Sequence, residues 1–150
     1  MKRVLIATDG SAAADEAVEL GVELARDEGA EVIFVHVVPY SDIVSMNGFG
    51  LMGHVPYEPT EWDQELLEEA QAAAKRENVP AGAALLRGAP VGEIVRHADA
   101  IDADLIVLGS RGHGAIASAL LGSVSRGILG ATRRPVLIVR SSRVREPAAL

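Results

Sequence analysis

Gly109, Gly112, Gly114 and Gly122 fall in the stretch GSRGHGAIASALLGS, which follows directly on the apolar run DLIVL. Glycine admits positive φ and lets a ligand approach backbone N–H groups with no Cβ in between, so a glycine-rich turn feeding a helix can cradle an anion on main-chain donors. Phosphate is the natural guest. Ser123 stands where a following helix would begin, placed to cap it or to give its hydroxyl to a phosphate oxygen, and Ser125 lies about one turn inside. Arg111, within the same stretch, could neutralise phosphate charge. A second candidate junction is TDGS, Thr8 to Ser11, which closes the first apolar run and carries Asp9.

Three familiar phosphate chemistries do not fit. A Walker A loop ends in glycine, lysine and a hydroxyl residue, and the only lysines are Lys2 and Lys75. The dinucleotide fingerprint G-x-G-x-x-G fails because Gly112-x-Gly114 is followed by Ala117, and it belongs after the first strand. A phospho-receiver site needs an acidic pair near the first strand and a lysine near the last; Asp9 stands alone, and PVLIVR carries arginine only. With no cysteine, disulfides and thiolate chemistry are excluded, and His36, His54, His97 and His113 lack the i, i+4 spacing of a metal site.

The elements that must position these residues follow from periodicity. RVLIAT, EVIFVHVVP, GAALLRG, DLIVLG and PVLIVR are short apolar runs bounded by turn residues and read as strands. Between them, Ala13, Ala17, Leu20 and Leu24 mark one helical face. Trp62, Leu66, Ala70, Ala73 and Ala74 mark a second, with Glu61, Asp63, Glu65, Glu68 and Glu69 on its wet side. Val91, Ile94, Val95, Ala98 and Ile101 mark a third, and Val124, Ile128 and Leu129 a fourth. Residues 40–59 show no periodicity and read as a long loop with apolar content from Met46 to Val55. Strands alternating with helices predict one α/β domain, an open parallel sheet of five strands covered on both faces. In such sheets ligands lie beyond the strand carboxyl ends, where the winding reverses.

Length and composition agree with a single core: 150 residues, 49% hydrophobic, are expected to form one domain over residues 1–142, with 143–150 a frayed tail. A net charge of −7 offers no long-range field for nucleic acid or an anionic membrane. No apolar run reaches the roughly 18 residues of a spanning helix, and MKRVLIATDG breaks off too early for a secretory signal, so a cytoplasmic location is expected.

The spacing G-x2-G-x9-G-[ST], filled by Gly109, Gly112, Gly122 and Ser123, resembles that of the universal stress protein family, in its ATP-binding branch. The likeness extends through VLIATDGS, the strand-final HVV at His36 to Val38, GAPVGEIV, DLIVLGSRGHG, LLGSVS and RPVLIVR. It implies a Rossmann-like sheet of the adenine nucleotide alpha hydrolase type, in the order 3-2-1-4-5, with ATP bound and a homodimer. By the same resemblance, Asp9 would contact the ribose and adenine end, with Ala7 and Thr8 lining the cleft, and Val37 would offer backbone groups to the adenine edge. Gly109, Gly112, Gly122, Ser123 and Val124 would hold ribose and phosphates, with Arg111 and Ser125 close by, and Mg²⁺ would bridge phosphate oxygens.

The function so implied is a nucleotide-dependent stress-response or signalling module with little or no turnover. Two other functions use the same residues: a slow ATPase or a nucleotidyl or phosphoryl transferase in the same pocket, and a dimeric scaffold without nucleotide. No general base is evident beside the single aspartate. The last strand, residues 135–140, ends the sheet with Val136 to Val139 and no inward charge, so pairing of two such edges is expected to join the dimer.

Overall fold

The computed structural model describes residues 1–39, 41–43, 53–55, 58–111 and 121–142. In chain order the elements are β1 (Arg3–Ala7), α1 (Ala12–Glu28), β2 (Glu31–Val38), β3 (Ser41–Ile43), β4 (Gly53–Val55), α2 (Glu61–Arg76), β5 (Ala81–Arg87), α3 (Pro90–Ala100), β6 (Leu105–Gly109), α4 (Ser123–Ala131) and β7 (Val136–Val139). β5, β2, β1, β6 and β7 form one sheet in that order, all neighbours parallel. With the short pair β3 and β4 set aside, this is the order 3-2-1-4-5. That pair is antiparallel, with Asp42 opposite His54, and stands where the sequence predicts only a loop.

Both faces of the sheet are covered, which explains why its inner strands are continuously apolar rather than alternating. Val4, Leu5 and Ile6 are all fully buried: Val4 and Ile6 pack with Val32, Phe34 and Val107 beneath α1 and α2, while Leu5 turns to the opposite layer with Val35 and Ile106 beneath α3 and α4. α1 starts at Ser11, whose hydroxyl accepts the Ala14 N–H at 3.2 Å, and stops at Gly29, left-handed at φ 66°. Leu129 of α4, expected on its inner face, is 48% exposed, and in α1 the expected core residue Leu20 is 42% exposed. The buried face of α1 instead runs through Ala14, Ala17, Val18, Gly21, Val22 and Ala25, with Gly21 lying against Ile6.

Candidate functional site

The chain leaves β1 toward β2 on one side and returns to β6 on the other, so the carboxyl end of β1 is the reversal point of the sheet. A cavity of about 780 Å³ opens there, within the range of small-molecule sites. Ala7, Thr8 and Asp9 reach it from β1 and its turn, Val37 from β2, Gly109 and Arg111 from the end of β6, and Gly122, Ser123, Val124 and Ser125 from α4. Gly112, the apolar loop residues Met46 to Met52, His113 and the 143–150 tail lie outside the described residues.

The β6–α4 side is built from main chain. Gly122 is the N-cap of α4 with φ −72° and ψ 167°, a backbone any residue adopts, so what glycine supplies here is the missing side chain. Its N–H donates to the Ser110 carbonyl at 2.7 Å, fixing the helix start to the end of β6. The next amides, on Ser123 and Val124, have no acceptor within their helix, as at any helix N-terminus, and both residues line the cavity. Ser125 is buried and donates its hydroxyl to the Gly109 and Ser110 carbonyls at 2.9 and 3.3 Å. Gly109 has a packing reason beside its place in the cavity: a Cβ there would lie 2.8 Å from the Ala13 carbonyl carbon and 2.9 Å from the Ala14 nitrogen. Only a residue with no side chain lets α1 sit this close to β6.

The β1–α1 turn is held by its own side chains. Asp9 Oδ1 accepts the Ser11 N–H at 2.9 Å, Thr8 Oγ1 accepts the Gly10 N–H, and the Ser11 hydroxyl donates to the Arg111 carbonyl across to the β6 side. Gly10 has φ +77°, where a Cβ would also strike Leu66 and Trp62 of α2.

The β2–α2 side is built from side chains, and here the structure corrects the sequence reading. Asp63, expected on the wet face of α2, is only 5% exposed, whereas Trp62, expected in the core, is 51% exposed. The reason is a capping network. The Asp63 carboxylate accepts the Thr60 N–H at 2.7 Å and the Thr60 hydroxyl at 2.9 Å, and its other oxygen accepts from His36 Nε2 at 2.7 Å. Turning Asp63 inward brings Leu67, Ala70 and Ala74, which follow it at helical spacing, onto the core and carries Trp62 to the rim of the cavity.

His36, 6% exposed, faces the Thr8 carbonyl with Nδ1 at 3.0 Å, so both ring nitrogens meet acceptors. A ring carrying one proton can donate to only one of them. Burial works to raise the Asp63 carboxyl, but the Thr60 amide, the His36 ring and the Thr60 hydroxyl together outweigh it and hold the group below the ordinary carboxylate value. Trp62 meets the His36 ring edge to face, centroids 5.7 Å apart. His36, Thr60, Trp62 and Asp63 all line the cavity, and none belongs to the site read from the sequence. One signal for them was available: Thr60 followed three residues later by Asp63 is a capping-box spacing, which draws an acidic residue back onto the helix start.

The Val35 carbonyl accepts the Thr8 N–H at 2.9 Å, so strand alternation turns the N–H and C=O of Val37 to the same side, past the point where β1 has left the sheet. Those groups edge the cavity. Amides of a helix start on one side, strand-end backbone with no partner among the described residues on the other and a carboxylate between suit a ligand that is anionic at one end and flat and polar-edged at the other. Among the described residues no group of three or more His, Asp or Glu could hold a metal ion.

Sheet order, winding and cavity position place the molecule among open, doubly wound α/β proteins. A family model described as the universal stress protein family matches residues 1–140. A universal stress protein of Methanocaldococcus jannaschii is 33% identical over 139 residues, covering 93% of this chain and 82% of that protein. Among solved structures, a universal stress protein in complex with cAMP superposes with a TM-score of 0.70 at 30% identity, covering 94% of this chain and 98% of its own. The universal stress protein of Archaeoglobus fulgidus in complex with dAMP gives 0.66 at 26% identity, covering 93% and 97%. The chain belongs to the universal stress protein family.

Proposed function

We propose that this protein binds an adenine nucleotide, ATP in its physiological form, and serves as a nucleotide-dependent stress-response or signalling module in the cytoplasm with little or no turnover. The observation that carries the proposal is the pairing, across one cavity, of the helix-start amides of Ser123 and Val124, which have no acceptor among the described residues, with the strand-end backbone of Val37. The phosphates would lie on those amides beside Gly109 and Gly122, with Gly112, Arg111 and Ser125 near them. The ribose would lie by Asp9 and the base at Val37, over Ala7 and Thr8. Mg²⁺ would be held by phosphate oxygens rather than by protein ligands, and the Ser123 hydroxyl would serve a phosphate oxygen. The complexes of relatives with cAMP and dAMP support an adenine-bearing ligand.

Low turnover is the reading that the described residues support, none of which is aimed as a base. His36 points both nitrogens at protein acceptors, and one oxygen of Asp9 is taken by the Ser11 amide. Calorimetry of the full chain with ATP, ADP, AMP and cAMP, with and without Mg²⁺, tests the proposal; no heat with any of them refutes it. Incubation with MgATP at protein excess then separates module from enzyme: product within seconds establishes an ATPase or transferase. The complexes with single-phosphate nucleotides favour a second reading, in which AMP or cAMP binds more tightly than ATP, and the same titrations rank them.

A homodimer joined through residues 135–140 belongs to the same proposal. Among the described residues β7 pairs only with β6, and it carries partly buried Val136, Leu137 and Ile138 along the edge. Light scattering at micromolar concentration should return twice the 15.7 kDa chain mass, and a monomer would refute it.

A further inference from the structure

We infer that Trp62 is a ligand-contacting residue, the aromatic wall against which the planar base of the nucleotide packs, held in place by the buried His36–Asp63 pair. This rests on the nucleotide reading above and adds a residue that neither the glycine spacing nor the family motif contains.

The cavity is polarised. Its donors of main-chain N–H cluster at the start of α4, while the opposite end is formed by Val37, Val38, Pro39, Thr60 and Trp62, surfaces suited to a flat apolar ring and not to phosphate. Trp62 carries the largest side chain in the molecule, is its one tryptophan, and is half exposed at this rim although α2 has a core face to bury it in. A large aromatic kept out of the core beside a cavity marks a contact surface.

It is also immobilised from behind. The indole meets the His36 ring in a T-shaped contact, and Cζ2 lies 3.1 Å from the place a Cβ on Gly10 would fill, so the indole closes over the Asp9-Gly10 turn. The helix turn that carries it is pinned by Asp63 to Thr60 and, through His36, to the Thr8 carbonyl. His36 and Asp63 are therefore positioning residues. A pre-set aromatic face binds a base without first losing rotamer freedom.

Because the chain has one tryptophan, its emission reads this contact directly. The full-length protein is titrated with AMP and with inorganic tripolyphosphate while heat and emission are both recorded. AMP should change the emission with the midpoint given by calorimetry, and tripolyphosphate should bind without changing it. Trp62→Ala should weaken AMP by about tenfold or more and leave tripolyphosphate unaffected, and Trp62→Phe should recover most of the loss. Far-UV circular dichroism checks both variants; should Trp62→Ala not fold, the emission of the unaltered protein decides. AMP binding with unchanged emission, or with equal affinity in Trp62→Ala, overturns the inference and leaves the nucleotide reading standing. Absence of AMP heat overturns both.

Discussion

The two ends of the cavity are made differently. At the β6–α4 end, position is set by backbone: Gly122 is fastened to Ser110, Gly109 admits α1, and the exposed donors are amides. At the β2–α2 end, position is set by side chains from elements far apart in sequence, with His36 and Asp63 meeting in a buried pair. A backbone site fails when an atom is added. A side-chain network fails when one is removed, because the partner left behind keeps its desolvation cost.

Removal at the second end should give the largest effect. Asp63→Ala strips the Thr60 amide and hydroxyl and the His36 ring of their acceptor at once, and urea unfolding should show a loss of about 3 kcal/mol. A loss near zero would mean the pair does not hold this end. Addition at the first end comes next. Gly122→Val keeps an allowed backbone and should retain its melting temperature, yet weaken ATP and AMP by at least about a hundredfold, since the isopropyl group stands where phosphate would lie. Undiminished affinity in the folded variant would remove the phosphates from α4.

A pH series sharpens the contrast. Asp63 is held below the ordinary carboxylate value in the folded protein, so the unfolded chain binds more protons and stability rises with pH. The advantage of the unaltered protein over Asp63→Asn should be complete above about pH 5, past the unfolded carboxylate range, and shrink as pH falls through the lowered folded value. A gap that widens on acidification contradicts an Asp63 carboxylate held ionised by its partners. The smallest effect is expected from Ser125→Ala, about 1 kcal/mol of stability with AMP affinity unchanged, because the hydroxyl is spent on the Gly109 and Ser110 carbonyls. Weakened affinity at unchanged stability would return that hydroxyl to the ligand.

The same difference explains what could be read from the sequence. Strand runs such as VLIA and LIVL are buried on both faces and announce themselves, and their alternation with helices leaves few topologies. Ser123 and Gly122 were legible because a helix start and its glycine are local in sequence. His36 and Asp63 were not: the pair spans 27 positions, and an aspartate among glutamates in a helix reads as solvated until its partner is known. Trp62 was misplaced for the same cause, since hydrophobic periodicity assigns the largest side chain to the core, while the inward turn of Asp63 moves the buried stripe onto Leu67. Gly109 was read for its ligand alone, and its packing against Ala13 depends on how closely α1 approaches β6, which no local pattern records.

The bond from the Gly122 amide to the Ser110 carbonyl ties together the two banks of the segment that joins β6 to α4, and the Ser125 hydroxyl doubles the tie. A crossing clamped at its abutments no longer depends on its span. Residues inserted or exchanged between positions 113 and 120, clear of Arg111 and Gly112, should therefore leave the helix start where it stands, which makes that stretch the natural place to graft a foreign sequence.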